Sequence, residues 1–374
     1  MPGIPENITI AGRTPATIKG NLPPLIDTAE AARGGYRAGD DSGDSAPAGI
    51  LLSESFDDLP DFTSDSDLPD DFGPWDEKRQ GSYENWSPGQ GDADKNAAFQ
   101  ITGADPEKLR GGTGKSFVGW RESQSRSDGT AEWNSDGILS SATFEGSKTA
   151  YCRFYIKFQP EWTLSGQSKL FRISAYDGGG RFGFGTSADD SHGPILFWDY
   201  ADGGIYGVRN FIALRGGPNT SNYFFGESGD PPNLPRSMNQ GDLGLNWGVN
   251  VTSPGGGHTN PPYISKVTGE AVGDVATHEE IYGTDWNKIE FYLEMNSAPG
   301  VEDGVLKQWV NDVQTFRNVT MPWVAESGSE NMLWNCVMVG GNDNFNAYPD
   351  SDKHEEWYAI DDVLVSTDLP EGLV

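Results

Sequence analysis

Residues 151–162 read YCRFYIKFQPEW, and their alternation decides the fold class. Tyr151, Arg153, Tyr155 and Lys157 fall on one parity, and Cys152, Phe154, Ile156 and Phe158 on the other. Successive side chains of a strand point to opposite faces, so this stretch predicts a sheet segment with an apolar back and a cationic, aromatic front.

Similar runs recur from Ala97 onward. They are AAFQIT, SFVGW, SKLFRISA, RFGFG, PILFWDY, IYGVRNFIAL, NKIEFYLEMN, VLKQWVND, MLWNCVMVG and EWYAIDDVLVS. Gly 49 and Pro 24 supply turns, and long apolar stretches of helical period are missing. Many short strands without an internal repeat predict an all-β, two-sheet antiparallel sandwich. Not every run alternates cleanly. In QSKLFRIS, Gln167, Lys169, Phe171 and Ile173 oppose Ser168, Leu170, Arg172 and Ser174, while MLWNCVMVG is apolar on both parities and predicts a doubly buried strand.

Residues 1–50 differ from the rest, being rich in Gly, Pro, Ala and Asp with few aromatics. They read as an N-terminal arm or linker ahead of a sandwich over 51–374. A Gly/Pro/Asn-rich stretch at about 216–280 is too long for a simple connection and predicts a functional loop or insertion. The N-terminus MPGIPENITIAGRTPATIKG has no apolar h-region, so no signal peptide is expected, and no membrane-spanning run occurs.

The formal net charge of −30 opposes binding to nucleic acid and to anionic membranes. Cys152 and Cys336 make no disulfide framework; buried thiols or one inter-strand bridge both fit. The wet face of an antiparallel sheet usually carries Thr, Ser and Lys. Here Tyr151, Arg153, Tyr155, Lys157, Arg172, Glu290, Tyr292 and Glu294 suggest instead a row that stacks on pyranose faces and grips hydroxyls or carboxylates. A solvated or subunit-covered face is the alternative.

YCRFYIKFQPEW, QSKLFRIS, WNKIEFYLEMNS with DGVLKQWVND, and EEWYAIDDVLVS together resemble the concanavalin A-like jelly rolls. That superfamily includes lectins, laminin-G modules, carbohydrate-binding modules and polysaccharide lyases of the alginate, glucuronan and heparin type. The resemblance covers about residues 50–370. It implies the fold strongly and an activity weakly, because the fold hosts many functions.

A lyase needs a cation or amide to neutralise the uronate carboxylate, a base for the α proton and an acid for the leaving oxygen. Arg153, Gln167, Lys169 or Arg172 could neutralise, with Tyr155, Tyr292 or Tyr358 for proton transfer. The alginate-lyase pattern of an Arg-x-Glu-x-Arg strand with Gln-x-His is not reproduced. His192, His258, His278 and His354 all fall in loop-like sequence, which predicts solvated imidazoles. For a glycosidase, Glu290 and Glu294 on one strand face would lie about 13 Å apart at about 3.3 Å per residue. The two carboxyls of such an enzyme stand about 5–9.5 Å apart.

Jelly rolls of this type usually pair first and last strands, which would bring Asp57 and Asp58 near Asp361 and Asp362. Four such carboxylates suit a structural calcium. Taken together, the residues favour a non-catalytic surface protein of a phage or virus particle, found on the virion or outside cells. Its arm would anchor it to other subunits, and its sandwich would bind carbohydrate. A polysaccharide lyase acting on a uronate-containing polymer, with its groove on the strands at 151–157, 167–172 and 288–296, is the alternative.

Overall fold

The computed structural model describes residues 49–80, 96–122, 136–141, 144–162, 166–176, 192–202, 208–215, 265–270, 277–301, 303–321, 323–324, 330–345, 355–370 and 373. Within them run fifteen strands: β1 Ile50–Glu54, β2 Phe62–Thr63, β3 Glu77–Gln80, β4 Phe99–Thr102, β5 Ser116–Glu122, β6 Asp136–Ser141, β7 Thr149–Phe158, β8 Gly166–Tyr176, β9 His192–Asp202, β10 Arg209–Arg215, β11 Asn287–Glu294, β12 Gly304–Val310, β13 Val313–Met321, β14 Cys336–Phe345 and β15 Glu355–Ser366. A short helix α1, His278–Ile281, opens with a capping box between Thr277 and Glu280.

Nine strands form one sheet in the order β13-β12-β11-β7-β15-β5-β4-β2, with β1 also on β15. Six form the other, in the order β10-β9-β8-β14-β6-β3. All pairings are antiparallel, and the chain is the two-sheet sandwich that its alternation predicts, the jelly roll that the resemblance implies. The first and last strands do pair, Glu54 opposite Val363. β1, β2, β3, β6 and β13 were not evident in the sequence. DGILSS and VQTFRNVTM carry too many polar residues to stand out. β13 is instead announced by Asn311 and Asp312, both at positive φ (51° and 68°), the geometry of a two-residue hairpin.

The core lies between the sheets. β7 contributes Cys152, Phe154, Ile156 and Phe158, as its alternation predicts, and β11 contributes Ile289, Phe291 and Leu293. Phe171, Ile173, Leu196, Trp198, Val337 and Val339 answer from the six-stranded sheet. Phe154 stacks on Phe171 with ring centroids 4.4 Å apart and meets Trp198 edge-on at 5.4 Å. Each such ring stabilises by about 1.5–3 kcal/mol through burial alone. Cys152 sits in this core and Cys336 in a separate cluster with Ile138 and Met338; both are free thiols. Residues 1–48 and nearly all of 216–280, where the arm and insertion were expected, lie outside the described residues.

Candidate functional site

The sequence-predicted row on β7 and β11 does assemble. Antiparallel register sets Tyr292 beside Tyr151, Glu290 beside Arg153 and Lys288 beside Tyr155. Its exposure does not match expectation. Tyr151, Arg153, Tyr155 and Glu290 are buried, leaving Lys157, Tyr292 and Glu294 half-buried.

Local chemistry explains the closure. Tyr151 Oη donates to Glu290 Oε1 at 2.6 Å, and Lys288 pairs with Glu290 at 3.4 Å and with Asp312. Two 3₁₀ turns, Pro106–Lys108 and Arg110–Gly112, then clamp the same face. Arg110 lies 3.7 Å from the Tyr155 ring centroid and pairs with Asp362, while Lys157 Nζ donates to the Glu107 carbonyl at 2.9 Å. Lys108 caps Trp120 and Trp357 at 4.6 and 5.2 Å. Burial pushes the Tyr151 and Tyr155 phenols up, and the Glu290 carboxyl up as well, more than Lys288 pulls it down. At the open margin, burial and Glu294 raise Tyr292, which donates to Glu294 at 3.4 Å. Phenols raised in this way are poor bases near neutrality.

Three of the four aspartates expected at a calcium site, Asp57, Asp361 and Asp362, make contacts within the protein. Asp57 accepts from the Lys115 amide at 2.7 Å, and Asp361 from the Asp362 amide at 2.7 Å. The Arg110 guanidinium neutralises Asp362. Among the described residues no three His, Cys, Asp or Glu side chains gather to hold a metal. Nearby Glu54 is pushed up to about 7, chiefly by burial, with Asp58 and Asp57 adding to the rise.

Other expected positions shift too. Tyr358 points into the core, over which Arg121 lies at 4.4 Å, so it faces no groove. His278 is no solvated imidazole. It is buried among Phe158, Trp162, Tyr200 and Tyr282, and burial lowers it to about 4. β7 and β11 belong to the nine-stranded sheet and β8 to the six-stranded sheet. Arg153, Tyr155 and Tyr292 therefore share no face with Gln167, Lys169 and Arg172, and the single groove expected across these strands does not form.

A second polar row lies on the outward side of the six-stranded sheet. Along β8, Ser168 faces the core, Lys169 faces out, Leu170 and Phe171 both enter the core, and Arg172 faces out again. The cause is a β-bulge: Lys169 pairs with Asp199, yet Phe171 pairs with Trp198. The other neighbour breaks register at the same height, between Val339 and Asp343 of β14. Gly340 there takes φ 81°, and a Cβ on Gly341 would stand 2.2 Å from the Lys169 carbonyl oxygen and 2.7 Å from its Cβ. Only glycine permits so close a backbone approach.

The bulge brings Lys169 opposite Asp199 and Arg172 opposite Phe197, whose ring lies 4.9 Å from the guanidinium. Lys169 is 2 % exposed, Arg172 3 % and Asp199 0 %. Ile138, Cys336 and Met338 with Tyr176 make an apolar flank, and Asn335 holds the Tyr176 backbone through two 2.7 Å hydrogen bonds. Gln167 lies on β8 next to this row. Asp199 escaped sequence reading because PILFWDY gives it no distinctive neighbour. The legible signal for the row was the phase slip in QSKLFRIS.

No protein-family model and no curated protein matches the chain. Among solved structures it is similar to an alginate lyase in complex with an alginate tetrasaccharide (10 % identity, 87 % of this chain and 100 % of that one, TM-score 0.42). It is also similar to a marine alginate lyase from Aplysia kurodai (11 %, 72 % and 87 %, 0.43) and to a laminarinase catalytic domain from Thermotoga petrophila (12 %, 86 % and 99 %, 0.41). At these identities and TM-scores the likeness assigns neither substrate nor residues.

Proposed function

We propose that the chain is a polysaccharide lyase acting on a uronate-containing polysaccharide, with its chemistry on the six-stranded sheet. The observation that carries this reading is the pair of register breaks on both sides of Lys169, with Asp199 and Arg172 beside it. Bulges of this kind re-aim side chains and concentrate next to active sites.

In this reading Arg172, charged at any working pH, meets the uronate carboxylate and makes the proton at C5 more acidic. Lys169 in its amine form takes that proton, and Asp199 stabilises the ammonium that results. The C5–H electrons form the C4–C5 double bond as the C4–O bond breaks. The leaving oxygen then takes a proton from the Lys169 ammonium. The expectation of a non-catalytic particle component has no support among the described residues or the comparisons. Its anchor would lie in the arm, almost all of which falls outside the described residues.

The test is direct. Wild-type protein is incubated with alginate, glucuronan and heparin, and the ultraviolet absorbance of unsaturated uronate ends is followed. Activity on one polymer, lost in Lys169→Met and Arg172→Met proteins that remain folded, is the expected result. Silence of the wild type across a broad uronan panel, or full activity in either variant, overturns the reading.

A further inference from the structure

We infer that Arg121, buried between the two sheets, is a positioning residue that sets Lys169 through its neighbour Ser168. The inference rests on the lyase reading for its catalytic consequence, but the structural tie stands on its own.

Arg121 belongs to β5 of the nine-stranded sheet and is 0 % exposed. Its Nη1 donates across the sandwich to Ser168 Oγ on β8, a serine that is itself fully buried. The guanidinium is held in place by its surroundings, with Tyr358 at 4.4 Å and Trp162 at 5.2 Å from its centre. Its register partner on β15 is Glu356, also 0 % exposed. A cation in this place is poorly explained by core packing alone, since an apolar residue of similar volume would fill it at lower desolvation cost.

Position supplies a better reason. Ser168 is the last residue of β8 in regular register with β14, and Lys169, the last in register with β9, leaves the next α-carbon toward the opposite face. On the other side Gly341 lets the β14 backbone close up against Lys169. The bulge is therefore gripped from three sides: by a cross-sheet hydrogen bond from within, by β9 through Asp199, and by Gly341 of β14. Bulged residues lack a full complement of ladder hydrogen bonds and have other conformations within reach. The tie removes that choice, so that the Lys169 amine is presented at one place.

Arg121→Met leaves Glu356 buried opposite an apolar side chain and risks the fold, so Ser168→Ala is the main variant and Ser168→Thr the rescue. Amide hydrogen exchange is read first, independently of any activity. In Ser168→Ala, protection should fall at residues 168–171 and hold at 173–176. Unchanged exchange at 168–171 overturns the tie whatever the enzyme does. On a uronan that wild type cleaves, Ser168→Ala should lower kcat about tenfold to a hundredfold with KM nearly unchanged, since small displacements of a reacting group cost this much. The acid limb of the pH profile should shift, and Ser168→Thr, which keeps the hydroxyl, should restore both. A change in KM alone, or no recovery in a folded Ser168→Thr, overturns the positioning role. If wild type cleaves no uronan, the lyase reading falls while the exchange result still decides the tie.

Discussion

The two outer faces of this sandwich carry similar residue types and put them to different ends. On the nine-stranded sheet, Arg110, Arg153, Tyr151, Tyr155, Lys288, Glu290 and Asp362 are knitted together and covered by the two 3₁₀ turns. On the six-stranded sheet, Lys169, Arg172 and Asp199 sit where both neighbouring strands break register. The first face spends its charges on one another; β7 runs in unbroken register with β11 there, but slips against β15 between Asp361 and Leu364, beside Tyr155 and Arg153. The second distorts its own ladder to place a lysine. Residue type alone did not separate a fastening from a candidate site, and a single register break did not either; breaks against both neighbouring strands at one residue did.

The sharpest break of this comparison is catalytic. Lys169→Met should lower uronan cleavage by about 10²–10⁴-fold, the usual range for losing a proton-transfer group. Tyr155→Phe on the other face should leave the turnover of folded protein within a few-fold. Equal losses from both would erase the distinction between the faces.

On the fastened face the large effect is on stability. Removing Arg110 as Arg110→Met leaves the Asp362 carboxylate buried without its cation, at a cost of about 3–5 kcal/mol. Chemical denaturation should show it, and Asp362→Asn in the same chain should recover part of the loss. An additive double variant would mean that the pair is not a unit.

Gly341→Ala tests the bulge from outside. The new methyl meets the Lys169 carbonyl and Cβ, so the ladder must shift, at about 1–3 kcal/mol. Activity per folded molecule should fall with it, which no alanine on the fastened face should cause.

The smallest effect is pH-dependent. Glu54 is raised from 4.5 to about 7, so the folded state holds its proton more tightly than the unfolded chain. Stability from this group is fully present below about pH 4.5 and is lost as pH rises toward 7. Glu54→Gln should then melt higher than wild type at pH 8 by an amount worth about 1–3 kcal/mol, and no higher at pH 4. A constant difference across pH would assign the gain to something other than ionisation.

Much of the fold was legible because period-two alternation is written directly in side chains. YCRFYIKF and NKIEFYLE each gave strand, phase and core face, whereas EWYAIDDVLVS gave the strand but slips phase at Asp361–Asp362, so that Tyr358 and Ile360 and then Val363 and Val365 enter the core. Short polar strands such as DGILSS, and the two-residue Phe62–Thr63, have too few positions for the pattern to show. The site was harder to read. Tyr151, Arg153 and Tyr155 were visible as a row, but the turns that cover them come from residues 105–112, which no local pattern links to β7. Lys169 and Arg172 were both noticed, yet strict alternation placed them on opposite faces. The bulge that unites them is a one-residue insertion, visible only as an imperfect phase in QSKLFRIS. Asp199 required the register of β9, which is a tertiary fact.

One further consequence follows from strand order. β15 stands between β7 and β5, and β14 between β8 and β6. Each sheet is thus completed by a strand inserted at its middle, and those two strands are the last in the described chain. Until residues 336–366 have left the ribosome, both layers are split into halves whose facing borders expose unpaired backbone. The nascent chain must hold those four borders apart from other polypeptides, and a synthesis interrupted before β14 should yield an insoluble fragment rather than a smaller sandwich.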